Sequence, residues 1–546
     1  MKKLLKFFLY LVLFVGILFA IVYFGSSPII KNIVADKLKK QNIAGIYKAS
    51  FKNAYFNIFA MGISITDFEL KPDSSKSAKA LYKYQKQLVH VYVKRLNINN
   101  IDIIKFIQEK KISIQRIVLR NPKVDLYKNH HFVKALNKKK PTVVSDVKDV
   151  RLKDISIIGL SLNYYIDEDK KADLTIDRVD LRLEKPVIEI SKISKPFDAI
   201  SVDDIKLNIK NIKFNNNQLY KLSLKSAEYQ HKSNTIVLNK VLIKPRFNKT
   251  KFANKHKYQT DRFDIDISTI NIKGFNIVRF IKEKVIALQE VNISGLNMEV
   301  YRDKNFPFNL NKFPKLPQRA IRDIKQKIEI ETISLQSSSI VYLEKAVGAK
   351  KAGKVEFKKV RAKISNFGNT NSWKNNKRLL VDAQTKIFGK GLLSVNLDFP
   401  LNSNTFYLKG HLAQTPMTIF NAISAPNAGI KIRKGNIDKL DFSASLNNKN
   451  SLGKMSFYYH GLDISILKKT KKTGQIKDSK LFNFLANSVF LPKSNPNKKG
   501  KFYESTISFE RDKNKGLFAY LWKSVFSGLK DTMIKKNKKK KLKHKK

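Results

Sequence analysis

Length, composition and charge narrow the class of protein. The chain has 546 residues, 42% of them apolar, and 107 Lys and Arg against 44 Asp and Glu give a formal net charge of +63. It contains no Cys, which excludes disulfides, thiol chemistry and Cys-ligated zinc. The excess of Lys fits an AT-rich genome, and it also fits attraction to anionic membrane surfaces.

An uncharged run at residues 7–24 follows Lys2, Lys3 and Lys6. As a helix it would be about 27 Å long, close to the bilayer core of about 30 Å. A cleaved signal peptide is the alternative, but the run is long for one and no small-residue cleavage site follows. We therefore expect a cytoplasmic stub at residues 1–6 and a transmembrane anchor at residues 7–24, with anchor residues Phe7, Leu11, Phe14, Leu18 and Phe24.

A second helix is predicted directly after the anchor. Ser27 fits the N-cap position and Pro28 the first helical position. The apolar residues that follow lie largely on one face of a helix. We assign residues 27–40 to this juxtamembrane helix.

One stretch of sequence occurs twice. Residues 91–129 align without a gap to residues 265–303, at a constant offset of 174, and ten of the 39 positions are identical. The identities include Asn97 with Asn271 and the Phe106-Ile107 pair with Phe280-Ile281. Shorter matches to the second half of this unit begin at Val150 and Ile328. A long gapless self-match indicates a repeated supersecondary unit.

Within the repeated unit, apolar and polar residues alternate at strand spacing. The alternation breaks at residues 102–110, where the apolar spacing predicts a short helix or helical turn. The apolar residues of the alternating runs should share one face of a sheet. This predicted lining consists of Val91, Val93, Leu96, Ile98, Ile112, Ile114, Val124 and Leu126, and in the second copy Ile265, Ile267, Ile270, Ile272, Ile286, Leu288, Met298 and Val300.

The rest of the chain also alternates at strand spacing. We assign residues 46–345 to a repeat-containing β-groove and residues 354–511 to a C-terminal β region. Residues 516–534 carry apolar residues on one side of a predicted amphipathic helix. Residues 535–546 form a polybasic tail, which we expect to be a solvated, disordered segment. Docking of this tail on anionic lipid is an open alternative.

The predicted fold class is mainly β. Helices outside the anchor would cover about a fifth of the chain, too little to pack over roughly two dozen strands. Two sheets packed as sandwiches remain possible. The other solution is a transmembrane helix followed by a long, twisted, curled antiparallel sheet, with a few short helices and a C-terminal amphipathic helix. Its apolar face would form a groove large enough to require an occupant, and acyl chains are the obvious one.

The chain resembles the AsmA-like family of Gram-negative envelope proteins, of the AsmA, TamB and YhdP type. The resemblance rests on the anchor, the Pro-started helix, the strand pattern at residues 56–70 and the repeated unit. Near the C-terminus it rests on GNIDKLDF at residues 435–442, GKM at 453–455 and YYHGL at 458–462. It implies a repeating β-groove and an inner-membrane-anchored protein whose bulk lies in the periplasm. It also implies phospholipid transport toward the outer membrane, or support of outer-membrane homeostasis.

The partners expected on this basis are phospholipids, the inner membrane, and outer-membrane or envelope proteins at the C-terminal end. An envelope scaffold that captures outer-membrane proteins by strand addition is the alternative function.

Other classes of function find less support in the sequence. We find no G-x-S-x-G, H-E-x-x-H, P-loop or G-x-G-x-x-G motif, so we predict no enzyme, no catalytic residue and no cofactor. His130 and His131 lack carboxylates at ligand spacing, which favours a solvated turn over a metal site. The basic residues are spread over alternating strand faces, so we expect no nucleic-acid partner.

Overall fold

The computed structural model describes residues 46–57, 59, 61–75, 79–80, 82–102, 112–133, 149–166, 171–189, 200–466 and 492–543. The chain divides into two compact units. Unit 1 comprises residues 1–218 and 222–238, and unit 2 comprises residues 219–221 and 239–546.

The predicted stub, anchor and juxtamembrane helix, with Phe7, Leu11, Phe14, Leu18 and Phe24, lie outside the described residues. Among the helices that the structure does describe, none combines the length and the apolar composition needed to cross a bilayer.

Both units are mainly β, which confirms the predicted class. In unit 1, β1 and β2 both pair with β3, and the sheet continues through β4, β5, β6, β7 and β10 to β11, while β8 joins β6 and β9 joins β8. The strands are β1 (Tyr47–Ser50), β2 (Asn53–Asn57), β3 (Gly62–Pro72), β4 (Gln87–Asp102), β5 (Ile112–Lys128), β6 (Asp149–Tyr165), β7 (Leu174–Glu184), β8 (Val187–Glu189), β9 (Ile200–Ser201) and β10 (Asp204–Phe214). Strands β11 (Tyr220–Gln230) and β12 (Thr235–Pro245) contribute residues to both units.

In unit 2, β13 to β19 pair in chain order, β19 and β20 pair with β21, and β22 and β23 follow. The strands are β13 (Arg262–Lys273), β14 (Val285–Asp303), β15 (Lys327–Lys345), β16 (Gly353–Gly368), β17 (Arg378–Ile387), β18 (Gly391–Pro400), β19 (Phe406–Leu412), β20 (Thr415–Pro416), β21 (Ile430–Leu446), β22 (Asn450–Ile466) and β23 (Ser505–Glu510). The helices are α1 (Lys249–His256), α2 (Ile277–Lys282), α3 (Pro317–Arg322), α4 (Asn371–Asn376), a 3-10 helix at Met417–Phe420, α5 (Asn421–Ala428) and α6 (Leu517–Lys543).

The sheet is mixed, so the prediction of a purely antiparallel sheet is wrong. Strand β5 pairs with β6 in parallel, and β14 pairs with β15 in parallel. A tight turn forces neighbouring strands to be antiparallel, whereas a connection of a dozen or more residues permits a parallel pair. Both parallel pairs have such a connection, from Lys128 to Asp149 and from Asp303 to Lys327.

The predicted lengthwise curl is also wrong, because the sheet within each unit is uncurled. The prediction of a curl depends on a shortage of helices to cover the apolar face. In unit 2 that face is instead covered in part by α3 and α6 and left half-buried in part. The sheet therefore has no need to fold over itself.

The sequence repeat is also a repeat of backbone geometry. Asn121 and Gly295 correspond at the offset of 174, and both have positive φ angles, 48° and 67°. Gly159 and Ser337 are 178 residues apart, with φ angles of 74° and 47°. At these residues the register of β6 with β7, and of β15 with β16, shifts in the same way. Each copy thus contains an antiparallel pair, a parallel third strand, and a fourth strand whose pairing with the third is interrupted by bulges.

The helical turn predicted inside the repeat is present in the second copy as α2, with Asn276 as its N-cap and Phe280 buried. The first copy's residues 103–111 lie outside the described residues. At the C-terminus α6 runs to Lys543, so the disordered conformation expected from residue 535 is wrong as far as residue 543. Lys has a high helix propensity, and adding a residue to an existing helix costs far less than starting one.

Candidate functional site

In the first copy of the repeat, the predicted lining residues are core residues of unit 1. Val91, Val93, Leu96, Ile98, Ile114, Val124 and Leu126 are between 0% and 7% exposed and belong to one buried cluster. Cross-strand pairs such as Ile63 with Ile98 and Leu96 with Leu119 bring them onto one face of β3, β4 and β5. Ile112 is the first residue of β5. The seven side chains of the buried cluster lie together on one face, and they are closed off from solvent.

In the second copy, the equivalent residues are only half-buried. This is the case for Ile265, Ile267, Ile270, Ile272, Ile286, Leu288 and Met298, and Val300 is the exception at 9% exposure. Ile265 pairs with Met298, which pairs in turn with Ile340 of β15. Ile270 pairs with Ile293, which pairs with Leu335. The apolar side chains therefore form rows across three strands.

We call these half-buried residues the open apolar face. It consists of Ile265, Ile267, Ile270 and Ile272 on β13, Ile286, Leu288, Ile293, Leu296 and Met298 on β14, and Ile330, Ile333, Leu335 and Ile340 on β15. All of them belong to unit 2. The residues of β15 are absent from the predicted lining, although the partial repeat at residues 328–343 was a usable signal for them.

The open apolar face continues along β13 although the spacing of its apolar residues changes once. Ile267 and Ile270 are three residues apart, whereas the other neighbours on this side are two apart. In the first copy, the equivalent residues Val93 and Leu96 are both buried, whereas Lys94 and Arg95 between them are exposed. Two consecutive residues therefore point outward at this position. The same shift keeps Ile267 and Ile270 on one side of the sheet.

The other side of β13 and β14 is charged and paired. Lys244 contacts Asp264 at 2.6 Å, Lys240 contacts Asp266 at 3.0 Å, and Lys273 contacts Glu290 at 3.0 Å. A hydrogen bond from Asn292 and the contact with Lys273 hold the pKa of Glu290 below its ordinary value. The sheet is therefore amphipathic, with ion pairs on one side and aliphatic rows on the other.

Beyond β15, the same apolar side becomes the core of unit 2. Phe399 and Phe406 stack with ring centroids 4.7 Å apart, and Tyr520 of α6 meets Phe406 edge-on. Leu316 and Ile321, from α3 and the residue before it, join this cluster. At the border, the ring of Tyr342 contacts Phe518 of α6, and burial raises the pKa of Tyr342. The open apolar face therefore ends where α6 begins.

A depression of about 610 Å³ lies on β15 to β18, and Leu335 is the one member of the open apolar face among its lining residues. Its lining is mostly polar and includes Ser334, Lys363, Asp382 and Asn396. Asn396 donates a hydrogen bond to Asp382 at 2.5 Å. This lining does not suit an acyl chain.

The candidates for other chemistry are few in the part of the chain that the structure describes. No group of three or more His, Asp or Glu there is placed to hold a metal ion. The His130 ring nitrogen Nε2 lies 2.6 Å from the carbonyl oxygen of Ile166, and His131 is exposed. The absence of catalysis and of a cofactor stays a prediction.

Comparisons with known proteins identify no relative. A scan against protein-family models gives no match, and a search of curated proteins finds none. The AsmA-like family therefore stays a resemblance based on the sequence patterns given above.

Proposed function

We propose that this protein binds phospholipid acyl chains along the open apolar face. It would do so as an inner-membrane-anchored periplasmic protein that supports phospholipid transport toward the outer membrane or outer-membrane homeostasis. The observation that carries the proposal is the half-buried aliphatic rows of β13, β14 and β15. The location, the direction of transport and the partner proteins come from the sequence resemblance.

The size of the open apolar face supports an extended apolar ligand. Strand β14 has 19 residues, which at about 3.3 Å each gives a length of about 60 Å. One acyl chain spans about half of a bilayer core, or about 15 Å. The face could therefore hold several acyl chains in line. Covering apolar surface contributes about 25 cal/mol per Å², so a lipid that covers these rows is stabilised without any specific polar contact.

Site-specific photocrosslinking in cells tests the proposal. Benzoylphenylalanine at Ile272 or Met298 should form adducts with phospholipid, detected by mass spectrometry of the purified protein. The matched control positions are Lys273 and Asn297, exposed neighbours on the opposite side of the same strands. Ile98 serves as a buried control, because it is 1% exposed. Lipid adducts should be confined to the first pair.

Two results would overturn the proposal. One is adducts with protein alone at Ile272 and Met298, which would mean that another polypeptide covers the rows. The other is equal amounts of lipid adduct at Lys273 and Asn297, which would mean that the lipid is nonspecific.

Capture of another protein by strand addition, the alternative function, finds less support at the C-terminal edge. There the Thr506 N–H donates to Asp531 Oδ2 at 2.9 Å, and the Ser508 N–H donates to Ser527 Oγ at 3.1 Å. Both acceptors belong to α6. Strand addition at β23 would have to break these hydrogen bonds, because it uses the same backbone donors.

A further inference from the structure

The segment before α6 holds a distant loop of unit 2 in place. Asn514 Nδ2 donates to the carbonyl oxygens of Leu310 and Lys312, at 2.6 and 3.2 Å. Arg511 Nη2 donates to the carbonyl oxygen of Pro314 at 2.8 Å. These hydrogen bonds place the loop beside the start of α6.

Both segments expose large apolar side chains. Leu310 and Phe313 on the loop are 69% and 63% exposed, and Phe518 and Trp522 on α6 are 58% and 55% exposed. We call these four residues the α6 patch. Soluble proteins expose single apolar residues everywhere, but several large ones on two joined segments mark an interaction site.

The opposite side of α6 is fixed to the sheet, so the exposed aromatic residues cannot simply turn inward. Ser524 and Thr532 are 0% and 2% exposed. Their hydroxyl oxygens lie 2.8 Å from those of Ser451 and Ser505. The Tyr520 hydroxyl donates to the carbonyl oxygen of Asn447 at 3.1 Å. Trp522 therefore points away from the core, and Phe518, which contacts Tyr342 at the border of the core, keeps 58% of its surface exposed.

Basic residues accompany the patch. Lys312 and Lys513 are exposed, and α6 ends in a run rich in Lys, from residue 535 to residue 543. The nearby carboxylates are already engaged, because Asp512 pairs with Lys515 and Asp531 accepts from Thr506. Aromatic side chains next to many Lys are typical of helices that lie in the interface of an anionic membrane.

We propose that the α6 patch and the basic end of α6 dock unit 2 on the surface of an anionic bilayer. Trp522 and Phe518 would enter the headgroup boundary together with Leu310 and Phe313, while the Lys residues contact the headgroups. None of the four residues belongs to the open apolar face, so each of the two sites can be altered by substitution without changing the residues of the other.

Trp522 reports on the docking directly. The chain has two Trp residues, so Trp373→Phe leaves Trp522 as the sole indole. This full-length variant is mixed with vesicles of phosphatidylcholine, alone or with phosphatidylglycerol. The Trp522 emission should shift to the blue, and brominated acyl chains should quench it, only when phosphatidylglycerol is present. Residues 1–309 are the same in every variant, so any contribution of these residues to vesicle binding is the same in all of them.

In the same background, Leu310→Ser with Phe313→Ser keeps the reporter and removes half of the patch. Vesicle affinity should fall about tenfold or more, which corresponds to about 1.4 kcal/mol. Leu392→Ser with Tyr407→Ser is the matched control, since these residues are 41% and 49% exposed on other strands of unit 2. The control should bind as the parent does. Lys→Gln changes at residues 538–541 should remove the dependence on phosphatidylglycerol.

Three results would overturn the proposal. The first is an unshifted Trp522 emission on vesicles to which the protein binds, and the second is equal affinity of the patch and control variants. The third is a Trp522 shift with a DNA duplex but not with vesicles, which would indicate a nucleic-acid surface. Equal thermal unfolding of all variants excludes misfolding as the cause of a lost response.

Discussion

Gln318 is a buried polar side chain without a hydrogen-bond partner in the described part of the chain. It is 1% exposed on α3, and neither its amide nitrogen nor its amide oxygen has a hydrogen-bond partner within the described ranges. A buried polar group without a partner costs about 1–3 kcal/mol relative to one that is hydrogen-bonded. Gln318 is therefore a local weakness in the core of unit 2.

Replacing Gln318 with Met should stabilise unit 2. Met has a similar shape and leaves no polar atom unpaired, so the free energy of unfolding should rise by about 1–3 kcal/mol in urea unfolding. The control is Gln326→Met, since the Gln326 amide donates to the carbonyl oxygens of Lys284 and Lys327. That change should lower the stability. A loss of stability on Gln318→Met would show that the amide has a partner, and a bound ligand would be the first candidate.

At the scale of one residue, the sequence predicts orientation better than burial. Alternation correctly places Ile98 and Ile272 on the apolar side of their strands. It cannot distinguish the 1% exposure of Ile98 from the half-burial of Ile272, because the two residues are identical and so are their predecessors, Asn97 and Asn271. The difference comes from what packs above each strand.

At the scale of elements, α6 protects the unpaired edge of strand β23. The side chains of Asp531 and Ser527 accept hydrogen bonds from the Thr506 and Ser508 N–H groups, which an unprotected edge would offer to another chain. The helix thus protects the edge through side chains, in addition to its apolar packing.

Asp531→Ala combined with Ser527→Ala should expose this edge. The free energy of unfolding should fall by about 1–3 kcal/mol, and the protein should self-associate in a concentration-dependent way, as measured by light scattering after size exclusion. Asp441→Ala is the control, because the Asp441 carboxylate contacts His411 and Lys439 side chains and no strand edge. A double variant that stays monomeric and fully stable would mean that the two acceptors are dispensable.

Helices can be predicted from the sequence where the spacing of apolar residues within the segment is sufficient to identify them. The turn inside the repeat is α2 in the second copy, and the amphipathic segment from residue 516 is the start of α6. The sequence does not predict the parallel pairing of β14 with β15, because the alternation within each strand is the same for either direction. Strand direction depends on the path of the connection between Asp303 and Lys327, which no periodicity encodes.

At the scale of the whole molecule, one repeated unit serves two purposes. The first copy builds the core of unit 1, and the second leaves its apolar rows half-buried in unit 2. A self-match in the sequence predicts equal structure, and the backbone agrees with that prediction. It does not predict equal surroundings. The sequence therefore places the candidate site in both copies and cannot show that only the second copy leaves it half-buried.

Equivalent substitutions in the two copies should therefore have different effects. Ile98→Asp places a charge in a closed core and should cost more than about 4 kcal/mol of stability. Ile272→Asp should cost about 1 kcal/mol, because water can reach the carboxylate, yet it should reduce the phospholipid that copurifies with the protein. Urea unfolding and lipid mass spectrometry measure the two effects.

The controls are Lys94→Asp and Ser268→Asp, which occupy equivalent exposed positions in the two copies. Both should unfold like the parent protein and keep its lipid. If Ile98→Asp and Ile272→Asp lost the same stability, the second copy would also be a closed core in solution.

The parallel pairing of β14 and β15 has a geometric consequence. The chain leaves β14 at Asp303 and must travel back by about the length of that strand, roughly 60 Å, before β15 can begin at Lys327. On the way it forms α3, and Leu316 and Ile321 pack into the core cluster on the apolar side of the sheet. The connection is thus a covalent strap on the same side as the open apolar face. Because α3 packs against β16 and β18, the strap limits how far a ligand can extend across the strands beyond β15, whereas the strands set the room along their own length.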